Sequence, residues 1–230
     1  MIELSGVRKI HHQGHHAEIR ALDGIDLLLH RGQVTLFTGP SGSGKTTLLT
    51  LVGALARPSE GRITLDGRPL SGLPERFLTP LRRATFGFVF QRFNLIGGLS
   101  VLENVMLPAL PTGETRQHIQ RRAEALLERL ELPHLALREV NWLSGGEAQR
   151  CAIARALIND PAVILADEPS ANLDSALTLR FMQIVADLRS EGRTVIIASH
   201  DPLIIGSSVV ERCVSLRDGR VVPGKDPAPP

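Results

Sequence analysis

Tyrosine is absent from this 230-residue chain, and cysteine, lysine and long apolar runs are all scarce. Two cysteines, Cys151 and Cys213, are too few for a metal cluster or a disulfide framework and point to a reducing compartment. No apolar run approaches the ~18 residues needed to span a bilayer. The N-terminus does not read as a secretory signal, so the expectation is a cytosolic protein or one held at a membrane only through a partner. Formal net charge is +2 and the 26 basic residues are scattered, which leaves no extended stripe for nucleic acid. Three of the 26 are lysines, an arginine bias best ascribed to genome composition. One of those three, Lys45, stands in the stretch around which the chain is organised.

That stretch is Gly39-Pro40-Ser41-Gly42-Ser43-Gly44-Lys45-Thr46-Thr47, a loop of the form GxxxxGK(S/T). The apolar run Val34 to Phe37 precedes it, and Leu48, Leu49, Leu51, Val52 and Leu55 follow at helical spacing, the strand–loop–helix context such a loop requires. Gly39, Gly42 and Gly44 let successive N–H groups turn inward, and the following helix adds its positive end. The pattern predicts a cradle for a di- or triphosphate, with Lys45 reaching the β- and γ-phosphates and the Thr46 hydroxyl on Mg²⁺.

Residues 2–10 and 24–30 read as strands, as do Gly61–Leu65 before an Asp66-Gly67 turn, and residues 86–90, which end at Gln91. Between the first two lie four histidines in six residues, His11 to His16, for which a solvated loop is a better reading than a metal site. From Gln91 onward the pattern turns helical. Ser100 and Glu103 form a capping box, and Ile119, Ala123, Leu126, Leu127 and Leu130 mark an amphipathic helix, so that about 92–154 reads as a helical insertion. Ala162–Ala166 and Thr194–Ala198 have the character of buried parallel strands, with a helix between them. Residues 213–222 suggest a hairpin with Asp218-Gly219 at its tip. The expected fold is therefore α/β, a largely parallel sheet covered on both faces, over residues 1–222, with a disordered proline-rich tail at 223–230.

Two further stretches carry chemistry. Ala162-Val-Ile-Leu-Ala-Asp167-Glu168 is an apolar strand ending in two carboxylates: Asp167 would assist the Mg²⁺ on Thr46, and Glu168 could orient and deprotonate a water for in-line attack. Leu143-Ser144-Gly145-Gly146-Glu147 is a second capping box and a second anion-ready helix start. One ATP does not need two such sites from one subunit. Two copies paired head to tail would bring each Ser144 helix end to the γ-phosphate held by the other.

Taken in order, these motifs resemble the ATP-binding cassette (ABC) ATPases over nearly the whole chain. GPSGSGKTT is similar to Walker A, Gln91 to the Q-loop, LSGGE to the signature and ILADE to Walker B. Ala171-Asn-Leu-Asp174 resembles the D-loop, and His200 the switch histidine. The resemblance implies a P-loop NTPase fold with a RecA-like core, an N-terminal antiparallel β subdomain and a helical signature subdomain. It also implies that Gln91 touches Mg²⁺ or the attacking water, that His200 contacts the γ-phosphate and that Asp174 acts across a homodimer interface. Family members stack adenine on an aromatic residue near the N-terminus, often tyrosine. Here the matching position falls near His11, an imidazole with less stacking surface. Gly87 to Ile96 and Val101 to Ala109 resemble the lipoprotein-release and macrolide-efflux branch, and the phosphate-loop region also looks like a related group of glycolipid exporters. That branch implies an integral-membrane permease partner, a place on the cytoplasmic face of the inner membrane, and a groove near Phe93, Leu95, Ile96 and Leu99 for a permease helix. The leading expectation is the ATP-hydrolysing subunit of an exporter or mechanotransmission complex. A regulator resembling the cell-division ABC ATPase and, less favoured, a soluble ABC factor stand beside it.

Overall fold

The computed structural model describes residues 1–12, 14, 18–171 and 173–222. The strands β1 (Ile2–His11) and β2 (Ile19–Leu29) pair antiparallel, with Ile2 opposite Leu29 and His11 opposite Ile19. The chain then enters β3 (Val34–Thr38), the phosphate loop and α1 (Lys45–Val52). It returns through the hairpin β4 (Glu60–Leu65) and β5 (Arg68–Pro69), whose Asp66-Gly67 turn has φ of 50° and 77°. Because β4 also pairs with β1, these strands form an antiparallel sheet in the order β2-β1-β4-β5.

Next come α2 (Glu75–Thr85), β6 (Phe86–Val89), α3 (Val101–Met106), α4 (Arg116–Arg129) and α5 (Gly145–Leu157), the last three joined by short 3₁₀ turns. The chain closes with β7 (Val163–Asp167), α6 (Ser175–Ser190), β8 (Thr194–Ala198), α7 (Pro202–Ile205), β9 (Arg212–Arg217) and β10 (Arg220–Val222). Among the described residues no strand lies between β6 and β7. The second sheet runs β10-β9-β3-β8-β7-β6 and is parallel apart from the β9–β10 hairpin.

Side chains alternate across that parallel sheet and divide the core. Val34, Leu36, Ile164, Ala166, Val195 and Ile197 pack toward the helices α3 to α6. Phe37, Leu165, Ile196 and Ala198 pack toward α1 and the antiparallel sheet. Both faces are thus covered, which is what continuous apolar runs such as Val-Ile-Ile-Ala require.

Two elements depart from the sequence reading. β2 begins at Ile19 rather than near 24, because its first residues are exposed and lack the apolar alternation that marks the rest. α2 was not foreseen: it holds Pro80 and buries only Leu78, and its ends are matched to the helix dipole by Glu75 in the first turn and Arg82 and Arg83 in the last. His11 and His12 are exposed. The rest of the histidine-rich loop, His15 and His16, and the proline-rich tail lie outside the described residues.

Candidate active site

Four neighbouring strands end on one side of the parallel sheet, and each delivers a different group. β3 leads into Gly39, β8 into Ser199 and His200, β7 into Asp167 and Glu168, and β6 toward Gln91. In open parallel sheets the carboxyl ends of the strands are where ligands bind. A cleft of about 340 Å³ opens there, lined by Gly42, Lys45, Thr46, Gln91, Glu168 and His200, with Ile19, Arg20 and Ala21 of β2 as its far wall.

The loop itself requires glycine at two points. At Gly39 φ is 145°, and a Cβ would stand 2.2 Å from the Leu216 carbonyl oxygen. At Gly44 φ is 101°, and a Cβ would stand 2.6 Å from the Ala21 carbonyl oxygen. The loop is therefore wedged between β9 and β2, and any side chain would lift it off them. Around it Lys45, 6% exposed, donates from its ammonium to the carbonyls of Gly39 at 2.9 Å and Pro40 at 3.1 Å, and the ammonium lies 3.7 Å from Glu168 Oε1.

The two carboxylates at the end of β7 have different settings. Thr46 Oγ1 donates to Asp167 Oδ1 at 2.9 Å. Burial raises the Asp167 carboxyl pKa above the usual range; the Thr46 hydrogen bond opposes this, and the neighbouring charge of Glu168 adds to it. Glu168 has a left-handed backbone, φ 43°, fixed by its N–H donating to the Ala198 carbonyl at 2.8 Å. That conformation is uncommon for a non-glycine residue and turns the side chain from the sheet toward the cleft. Its Oε1 lies 2.9 Å from His200 Nδ1, and its Oε2 accepts from the Ser199 hydroxyl at 3.3 Å.

These residues fit a magnesium nucleotide on their own features. The Ser43 hydroxyl is buried with no hydrogen-bond partner among the described residues, and a Cβ at Gly42 would meet nothing within 4 Å, so the loop faces open space. Thr46 and Asp167 supply hard oxygen donors of the kind Mg²⁺ prefers.

Other predicted residues lie elsewhere. Ser144 caps α5: its hydroxyl accepts from Glu147 N at 3.4 Å, while Glu147 Oε2 accepts from Ser144 N at 2.7 Å. Gly146 is buried, and a Cβ there would fall 2.8 Å from Leu177 Cδ2, so any side chain would require the Leu177 side chain on α6 to shift. Asp174 is exposed and caps α6, accepting from Leu177 N at 2.9 Å. Neither the signature residues nor Asp174 line the cleft of their own chain. His11 does not line it either; it stands across the β1–β2 ladder from Ile19, which does.

The stretch expected to receive a permease helix is mostly occupied internally. Arg155 donates to the Phe93 and Asn94 carbonyls, Leu95 packs on the core, and of the four apolar residues only Ile96 is exposed. A groove of about 420 Å³ adjoins it, lined by Phe86, Phe88, Phe90, Pro108, Pro111 and Arg155 among others. Phe88 and Phe90 stack in its floor with ring centroids 5.8 Å apart.

Two contacts were missed from the sequence. Ser199, immediately before His200, orients Glu168. Gln149 on α5 is buried and donates to the Pro169 carbonyl at 2.8 Å, tying the signature helix to the loop after β7. A glutamine on a helix gives no local signal of so distant a partner.

The fold and the cleft together define a phosphate-loop ATPase cassette. Residues 22–171 match the ABC transporter family. The chain is 47% identical over 204 residues to the macrolide export ATP-binding/permease protein MacB of Rhodospirillum rubrum, a match covering 89% of this chain and 31% of that protein. It is 41% identical over 223 residues to the lipoprotein-releasing system ATP-binding protein LolD of Bacteroides fragilis, covering 96% of this chain and 100% of the relative. A solved dimeric ATP-binding cassette in a post-hydrolysis state, bound to ADP and Pi, superposes with TM-score 0.90 at 39% identity and 98% coverage of each chain. The chain belongs to the ABC transporter family. It spans about a third of the length of the macrolide export relatives, whose matches cover 31% to 35% of them.

Proposed function

We propose that this chain binds and hydrolyses ATP as the motor of an export or mechanotransmission complex, acting on an integral-membrane permease from the cytoplasmic face of the membrane. The observation that carries this reading is the meeting of Lys45, Thr46, Asp167, Glu168 and His200 at the ends of adjacent strands. The loop N–H groups and Lys45 hold the triphosphate, with Thr46, Asp167 and Gln91 as the residues that would hold Mg²⁺. Held by those oxygens, Mg²⁺ would supply charge neutralisation for the phosphates. Glu168 takes the proton of the attacking water as its oxygen bonds to the γ-phosphorus and the bond to the ADP oxygen breaks. His200 and Ser199 hold the two carboxylate oxygens of Glu168 in place for that transfer.

The separation of Ser144, Gly145, Gly146, Glu147 and Asp174 from the cleft supports a head-to-tail dimer in which each signature helix end completes the partner's nucleotide site. Closure of that dimer moves the permease, which the groove over Phe88 and Phe90 is suited to receive. The deciding experiment compares wild type with Glu168→Gln, measuring ATPase activity and dimer formation alone and after purification with any membrane protein that accompanies the chain. A multi-span partner that changes turnover, with ATP-bound dimers accumulating in Glu168→Gln, is the expected outcome. Recovery of ribosomes or DNA in place of a membrane protein would overturn the transport reading.

A further inference from the structure

Adenine is a flat aromatic base, and proteins commonly hold it against another ring. Among the described residues lining the cleft the only ring is the His200 imidazole, and that ring is engaged with Glu168. The far wall is aliphatic and cationic, Ile19, Arg20 and Ala21. The cleft therefore grips phosphate strongly and offers the base little surface.

The sole tryptophan stands on a different part of the molecule, two residues before Ser144. Trp142 is 70% exposed, an unusual setting for the largest side chain in the protein. Its backbone is firmly held. Val140 is buried and donates to the Leu99 carbonyl, Glu139 bridges to Ser100, and Leu143 packs on the core. Trp142 N donates to the Glu139 carbonyl at 3.2 Å, closing a 3₁₀ turn that points into α5. A rigid turn presenting a solvent-facing indole beside a glycine-rich helix start has the form of a platform for a ligand.

We propose that Trp142 supplies the missing stacking surface in trans, packing against the base or ribose of the nucleotide held by the second copy. This rests on the head-to-tail dimer of the proposed function: if Ser144 meets the partner's γ-phosphate, a large side chain two positions earlier on the same held segment is within reach of the same nucleotide. Base recognition then belongs to the closed dimer, whereas the single chain recognises chiefly the phosphates.

The test uses the full chain carrying Glu168→Gln, with dimer formation followed by analytical ultracentrifugation as nucleotide is added. Adding Trp142→Ala should raise the ATP concentration for half-maximal dimerisation about tenfold or more, the scale of one base–aromatic stack. Trp142→Phe should recover most of the loss, and ATP binding by dilute, single chains should be unaltered. The shift should be larger for ATP than for UTP, whose base stacks less. In the variant that keeps Trp142, indole fluorescence should be quenched on closure. Unchanged dimerisation in Trp142→Ala overturns the inference while leaving the dimer standing. Equal shifts for ATP and UTP also overturn it, because Trp142 would then touch the partner's protein surface. Absence of any ATP-driven dimer in Glu168→Gln removes both this inference and the dimer on which it rests.

Discussion

The amino ends of α1 and α5 both point backbone N–H groups outward, but their side chains are disposed in opposite ways. Around α1, its own first residues and those at the ends of β7 and β8 turn toward one another: Lys45 lies beside Glu168, Thr46 bonds Asp167, and His200 meets Glu168. Around α5, Ser144 and Glu147 turn back on their own backbone, and the Ser144 N–H and hydroxyl hold the Glu147 carboxyl below its usual range. The first end gathers charged and hydroxyl side chains into one cleft. The second is stable by itself and offers mainly backbone and a rigid surface, which is the character of a surface awaiting a partner.

That contrast can be broken at several points. The largest effect is expected at Glu168→Gln, where loss of a general base should lower turnover by about 10²–10⁴-fold without loss of ATP binding. Normal turnover in that variant would remove Glu168 from the reaction. Lys45→Ala should weaken ATP binding by the single chain about 10²-fold, since a charged hydrogen bond to phosphate is worth roughly 1.5–3 kcal/mol; calorimetric titration measures it.

At the other helix end Gly146→Ala forces a methyl against Leu177, which should cost about 1 kcal/mol and lower Tm by roughly 2–4 °C. ATPase activity should fall while ATP binding by single chains holds. A second change, Leu177→Ala, should return the lost stability, and failure to do so would deny that this contact sets the packing.

Asp167 sharpens the comparison through pH. Its folded carboxyl pKa lies above the unfolded value, mainly through burial, so the folded chain retains a proton that the unfolded chain releases. That contribution favours the fold below the unfolded pKa and is lost as pH rises through the folded one. At neutral pH Asp167→Asn should therefore raise the Tm of the nucleotide-free chain by about 2 °C while weakening Mg²⁺-dependent ATP binding. A lower Tm would mean that the Thr46 bond outweighs burial. The smallest effect is expected at His11→Tyr, which should tighten ATP binding about twofold, within the range of a partly exposed stack. An unchanged dissociation constant would exclude His11 from the site.

Much of this arrangement was legible because its signals are local. A run such as Val-Ile-Ile-Ala has one stable setting, a strand covered on both faces, and β8 is that strand. Ser100 with Glu103 and Ser144 with Glu147 marked the starts of α3 and α5, since a capping box is complete within four residues. Asp218-Gly219 marked the β9–β10 turn for the same reason. What escaped is non-local or against propensity. The left-handed backbone of Glu168 depends on the Ala198 carbonyl of the neighbouring strand, and the Gln149 bond on a loop twenty residues away. In α2 an interior proline masks a helix that buries Leu78 on the core and carries charges matched to its ends.

The Gln149–Pro169 bond has a mechanical consequence. A buried amide that loses its partner costs about 1–3 kcal/mol, so α5 and the segment just after Glu168 resist being parted. Whatever tilts the glycine-rich end of α5 also tugs the chain one residue beyond the carboxylate. The two ends contrasted above are thus fastened together by one buried bond, like a handle pinned to a latch.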